Sequence, residues 1–186
     1  MKKNIKSLIL FFLVVTMTGC AAWSQLKKVE YVDDSRLFSS VVPMGWMRFN
    51  LGKEFLITRD GTVLNVITVS RAKIDQKLAF TKKKFSEDML PQNLAEVEVD
   101  DIRSCEGINR FELLSNKPAT LDGRPGFRIE YHFYTQGGLK IKGVRLGFIE
   151  DKRISRIRYE AASQHYFDHT QNDFKTFIDN FKVVKK

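Results

Sequence analysis

The chain has 186 residues, of which 43% are hydrophobic, 12% aromatic and 28% charged, with a formal net charge of +9. Four Pro and eleven Gly exclude collagen-like and Pro/Gly-rich disordered compositions, two Cys exclude a disulfide-stapled miniprotein, and no Cys/His string has zinc-finger spacing. This length predicts one domain with room for a short extension.

The N-terminus is the most informative segment. Lys2, Lys3 and Lys6 precede any acid, and Leu8 to Val15 follows as an unbroken apolar run of eight residues. A basic start, a short apolar core and a small-residue stop are the parts of an export signal. The run is far shorter than the ~20 residues that span a bilayer, which predicts a processed segment. Met17-Thr18-Gly19-Cys20 resembles the lipobox of bacterial lipoproteins, with Met17 where that pattern usually has Leu. The resemblance implies a signal peptide over 1–19 and lipidation of Cys20, which becomes the first residue of a diacylglyceryl- and palmitate-bearing protein. Ala21, rather than Asp, implies the outer membrane, facing the periplasm, in an organism that has one. A single acyl chain anchors only marginally at ~0.8 kcal/mol per buried CH₂, so stable attachment needs a multiply acylated Cys.

Removing residues 1–19 takes away three Lys and no acid, and lowers the formal charge from +9 to +6 over the remaining 167 residues. That argues against nucleic acid as a partner. The residual charge suits anionic lipid head groups, an anionic envelope polymer or an envelope protein. Cys105, alone in an oxidising compartment once Cys20 is lipidated, reads as a small buried hydrophobe.

Residues 20–35 read as a tether from the lipid to a single globular domain over 36–186. In that domain, Arg36–Val42 predicts a strand ending at the turn Pro43-Met44-Gly45-Trp46. Asp60-Gly61 between the apolar runs at 55–58 and 63–70 predicts a hairpin with a type I′ turn, whose central positions need positive φ. Leu78, Phe85 and Met89 fall near helical spacing and predict a helix over Asp75–Met89. Pro91 opens a second helix at its first position, with Leu94, Ala95, Val99 and Ile102 inward. Strands follow over Gly107–Ser115, Phe127–Thr135, Lys140–Glu150 and Arg153–Ala161, turning at Gly137-Gly138 and Asp151-Lys152. Ile129, Tyr131 and Phe133 alternate with Arg128, Glu130 and His132, as in an antiparallel meander with one wetter face. Ser163 is positioned to cap a long last helix whose stripe is Phe167, Thr170, Phe174, Phe177, Ile178 and Phe181.

Pro43-Met44-Gly45-Trp46, the Asp60-Gly61 hairpin, Leu121-Asp122-Gly123-Arg124-Pro125-Gly126-Phe127-Arg128, Tyr159-Glu160-Ala161 and the final Phe-rich helix together resemble the PsbP-like fold. The resemblance covers roughly residues 36–184. It implies an α+β fold: an antiparallel meander packed between helices as an α/β/α sandwich, with a long amphipathic C-terminal helix. It also implies a non-catalytic accessory or binding role.

Signs of chemistry are sparse. No P-loop and no Gly-x-Ser-x-Gly elbow exists, and the acidic pairs Asp33-Asp34, Asp100-Asp101 and Glu150-Asp151 fit solvated positions. His165 and His169, at i and i+4, are the metal-ligand candidates, with His132 as a conceivable third ligand. They fall opposite the Phe stripe on the solvent side, where a metal lacks a second shell. No metal, cofactor or catalytic residue is assigned. The expectation is a lipid-anchored cell-envelope protein that binds or assists assembly. The alternative is a metal- or carboxylate-dependent envelope hydrolase, which a deep polar pocket with convergent titratable groups would favour.

Overall fold

The computed structural model describes residues 22–26, 30–33, 37–52 and 54–184, so the lipobox and Cys20 lie outside the described residues. Ten strands and a short eleventh follow in chain order: β1 (Trp23–Gln25), β2 (Glu30–Val32), β3 (Phe38–Val41), β4 (Met47–Phe49), β5 (Phe55–Thr58), β6 (Asn65–Lys73), β7 (Ile108–Leu121), β8 (Arg124–Thr135), β9 (Lys140–Glu150), β10 (Arg153–Ala162) and β11 (Lys182–Val183). Helix α1 (Pro91–Arg103) lies between β6 and β7, and α2 (Tyr166–Asp179) between β10 and β11. No described helix is long and apolar enough to cross a membrane.

The expected helix-rich α/β/α sandwich with a long C-terminal helix is corrected here. Among the described residues strand predominates, in one eight-stranded antiparallel sheet of order β1-β4-β5-β6-β10-β9-β8-β7 and a small sheet β11-β3-β2. The helices have 13 and 14 residues. At 1.5 Å per residue each is ~20 Å long, enough to cover about three or four strands and no more. α2 ends at Asp179, so Phe181 lies beyond it, buried where the chain turns into β11.

The meander β7–β10 follows from local chemistry. Asp122-Gly123 and Asp151-Lys152 have positive φ at both positions (47° and 76°, 51° and 55°), the requirement of a two-residue type I′ turn. β9 has the predicted bounds. β7 runs six residues beyond the predicted end, through Pro118, because it is the edge strand and needs no further amide donor on its open side. In β9, Gly143 lies under Tyr131, where a Cβ would come within 2.4 Å of the ring.

Apolar packing divides between the faces. On one, Phe174 and Phe177 of α2, with Phe181, bury against Phe38, Phe55, Ile57, Val144, Leu146, Ile157 and Tyr159. Phe55 stacks on Phe177 at 6.0 Å and Tyr159 on Phe174 at 4.8 Å. Trp46 of the Pro-Met-Gly-Trp turn is fully buried and donates its indole N–H to Asp173 Oδ2 at 2.9 Å, fixing that turn to α2. On the other face, Leu94, Ala95, Val99 and Ile102 of α1 pack on Phe127, Ile129, Tyr131 and Ile154, as their spacing predicts.

Local expectations fail where tertiary partners intervene. Residues 75–89 form turns, not a helix: Leu78 and Phe85 are buried, but the Phe85 amide donates to Ile74 O and the Phe80 and Thr81 amides donate to Asp101 Oδ1. The β5–β6 turn is longer than a type I′ hairpin. Of its residues only Gly61 has positive φ, and Asn65 Oδ1 closes it by accepting from the Arg59 and Asp60 amides at 2.9 and 3.2 Å. Ser163 does not cap α2; His165 holds that position at φ 68°, in a γ-turn closed by Tyr166 N donating to Gln164 O. Finally, β1 and β2 fall within the stretch 20–35 expected as a tether.

Phe177→Ala should lower the unfolding free energy by ~3–5 kcal/mol, through lost transfer energy and a cavity among Phe38, Phe55 and Phe181. Denaturant unfolding checks this; an unchanged midpoint would show that the stripe contributes no packing.

Candidate functional site

β5 pairs with β6 only from Phe55↔Val69 to Ile57↔Ile67, while β6 continues to Lys73. Beyond Phe55 the sheet therefore has a notch, and the chain lines it from both faces. Val69 and Arg71 point to one side of β6; Ser70 and its β10 partner Arg156 point to the other. Arg48 of β4 approaches from across the notch, and Asp33, Phe38 and Gly52 complete a cavity of about 280 Å³. A second cavity of about 200 Å³, against Leu78, Phe85 and Asp101, shares Ala72, Gln76 and Arg156 with it.

The three arginine side chains are largely withdrawn from water, at 15% (Arg48), 17% (Arg71) and 22% (Arg156) exposure. Arg48 lies over the Tyr31 and Phe55 rings, each 5.5 Å from its guanidinium carbon, and burial lowers its pKa from the ordinary value. An arginine so placed remains a cation at neutral pH, and acts as neither acid nor base.

What sets Arg71 and Arg156 apart is the quality of their pairing. Arg145 reaches Glu98 Oε2 at 2.6 Å, and Arg124 reaches Glu150 Oε1 at 2.6 Å. Arg71 has Asp151 at 3.8 Å, a carboxylate that is itself 83% exposed, and Arg156 has Glu98 Oε1 at 3.4 Å. Charge-assisted N–H···O bonds are ordinarily ~2.7–2.9 Å. The Nε of both Arg71 and Arg156 is buried with no hydrogen-bond partner among the described residues. Buried donors are seldom left so.

Glu98 sets the position of Arg156. It projects from α1 with 1% side-chain exposure, between Arg145 and Arg156. Burial alone would lower the Arg145 pKa, but Tyr131, Glu98 and Glu160 around it outweigh this and raise it. Beside them Tyr131 donates its hydroxyl to Glu160 Oε1 at 2.7 Å, and burial, then the Glu160 charge, raise its pKa.

The sequence-derived candidates lie elsewhere. His165 and His169 are exposed and stack on each other, ring centroids 5.1 Å apart. His132 does not join them; its Nε2 is 3.1 Å from Glu112 Oε2 on β7. Among the described residues no three His, Cys, Asp or Glu side chains group as a metal-binding set. Cys105 is half-buried just after α1. Arg48, Arg71, Arg156 and Glu98 went unnoticed as a site in the sequence. The available signals were Ser70-Arg71 breaking an apolar strand and Glu98 lying four residues from both Leu94 and Ile102, on the inner helix face.

No protein-family model matches the chain, and no curated protein matches it. Solved structures do. Cyanobacterial PsbP (CyanoP) from Synechocystis sp. PCC 6803 superposes with a TM-score of 0.58 at 14% identity, over 89% of this chain and 95% of that one. The Saccharomyces cerevisiae Ran-binding protein Mog1p superposes with a TM-score of 0.58 at 11% identity, over 87% and 97%. The chain has the fold of PsbP and Mog1p. At these identities the likeness concerns the fold alone, and the PsbP-like resemblance read from the turns and the Phe-rich helix holds at that level.

Glu98→Ala should destabilise by ~3–5 kcal/mol, because it leaves Arg145 buried beside no carboxylate at bonding distance. Asp179→Ala, which breaks the exposed Lys175–Asp179 pair, should cost ~0.3–0.5 kcal/mol. Urea unfolding of both variants checks the contrast; similar losses would show that Glu98 is not an energetic centre.

Proposed function

We propose that this chain is a lipid-anchored protein of the cell envelope, facing the periplasm from the outer membrane where there is one, which works by binding an anionic group in the arginine notch, without covalent chemistry. The observation that carries the binding reading is that Arg48, Arg71 and Arg156 line one cavity, with Arg71 and Arg156 held only by long ion pairs of 3.8 and 3.4 Å. Guanidinium forks suit phosphate and carboxylate, which accept two parallel N–H bonds. Asp33 and Glu54 also line the cavity; beside three guanidiniums they leave its walls net positive. The folds of PsbP and of Mog1p, the latter described as Ran-binding, support a binding or accessory role. The anchoring part is supported by the basic start, the short apolar run and Thr18-Gly19-Cys20.

Calorimetric titration with inorganic phosphate should give saturable binding that Arg71→Gln weakens roughly tenfold or more, the range expected for a lost hydrogen bond to a charge. Binding unchanged in that variant would remove the notch from the reading. Cys20→Ser should leave an uncleaved precursor; normal mass and normal fractionation in that mutant would refute the anchor.

A further inference from the structure

Ala22 is already part of the fold. The Asn50 amide donates to Ala22 O at 2.9 Å, and Trp23, Ser24 and Gln25 pair with Phe49, Arg48 and Met47. Only Ala21 separates Ala22 from Cys20. Two residues of chain reach at most ~7 Å, so a lipid on Cys20 would leave little slack before the fold begins.

The surface at this end suits that position. The Trp23 ring lies 5.0 Å from that of Phe49, and Leu51, one residue beyond Asn50, is 72% exposed. Tryptophan rings favour the head-group level of a bilayer, where one edge is apolar and the other wet. The same β4–β5 connection supplies Gly52 and Glu54 to the wall of the arginine notch, and Arg48, paired with Ser24 of β1, supplies its cation. Ala22, the apolar tip and the notch are therefore neighbours.

We propose that this end of the sheet sits on the membrane, with Trp23, Phe49 and Leu51 at the interface and the notch holding the phosphate of an anionic lipid head group. The inference rests on the lipid-anchored, anion-binding reading and names its ligand. A body tied one residue from its lipid meets head groups at high effective concentration, so even a weak phosphate site is occupied. Basic side chains near such a surface gain further from its negative potential.

The test uses the chain's own reporter. Of its two tryptophans, Trp46 is fully buried under α2, which leaves Trp23 to sense the bilayer. The protein purified from membranes is reconstituted into vesicles of phosphatidylcholine, alone or mixed with phosphatidylglycerol, with or without bromine on the acyl chains just below the head groups. Intact mass reads acylation of Cys20 separately. Brominated lipid should quench tryptophan emission, more strongly with phosphatidylglycerol. Trp23→Phe should abolish the quenching, Leu51→Asp should reduce it, and Arg71→Gln should remove the phosphatidylglycerol increment. An acylated protein without quenching overturns the seating while the anchor stands. Quenching equal in both lipid mixtures overturns the head-group site. Quenching by a protein whose Cys20 carries no lipid supports the seating and refutes the anchor.

Discussion

The carboxylate of Glu98 has left water, and the α1 side of the sheet is arranged around that fact. An ionised carboxylate buried alone would cost several kcal/mol. The sheet answers with Arg145 of β9 and Arg156 of β10, at 2.6 and 3.4 Å. The two are not equal. Arg145 takes the short bond; Arg156 takes the longer one and keeps its Nε unmatched among the described residues. A single acid shared between two guanidiniums fixes α1 on the sheet and leaves part of one cation unspent, at the edge of a cavity.

That cavity exists because neighbouring strands differ in length. β5 stops at Phe55 while β6 is carried on to Lys73 by its pairing with β10, which runs from Arg153↔Lys73 to Ala161↔Asn65. An edge left open in this way would ordinarily invite another strand. Here charged side chains blunt it: Arg71 and Arg156 from the two faces and Arg48 from across the gap. The same device that discourages strand addition concentrates positive charge at a concave place.

Away from the notch, the α2 face is mainly aromatic. Phe38, Phe55, Phe177 and Phe181 form a mutually stacked and edge-to-face cluster, closed by Trp46 and by Ser40, whose hydroxyl donates to Phe177 O. Tyr159 extends it, its hydroxyl shared with Phe167 O and Thr170 and its pKa pushed up to about 12, chiefly by burial. Stability is thus concentrated under α2, and the guanidiniums with only long ion pairs lie on β6 and β10. The notch adjoins this packing, since Phe38 and Phe55 line it and Arg48 lies over the Phe55 ring.

The amino-acid sequence by itself determined the features that depend on neighbours a few residues apart. Period-two alternation marked β8, Gly137-Gly138 and Asp151-Lys152 marked turns, Pro91 marked the start of α1, and the Phe spacing marked the buried side of α2. It failed where a local pattern met a distant partner. Leu78 and Phe85 are buried as their spacing suggests, but Asp101 takes the amides of Phe80 and Thr81 and no helix forms. Asn65 replaces the short hairpin turn that Asp60-Gly61 signals. The notch could not be read at all, because it depends on where β5 ends relative to β6 and on bonds from Glu98 to residues 47 and 58 positions away. Hydrophobic period is a property of a segment, whereas the matching of buried charges is a property of register between segments, and only the folded sheet sets that register.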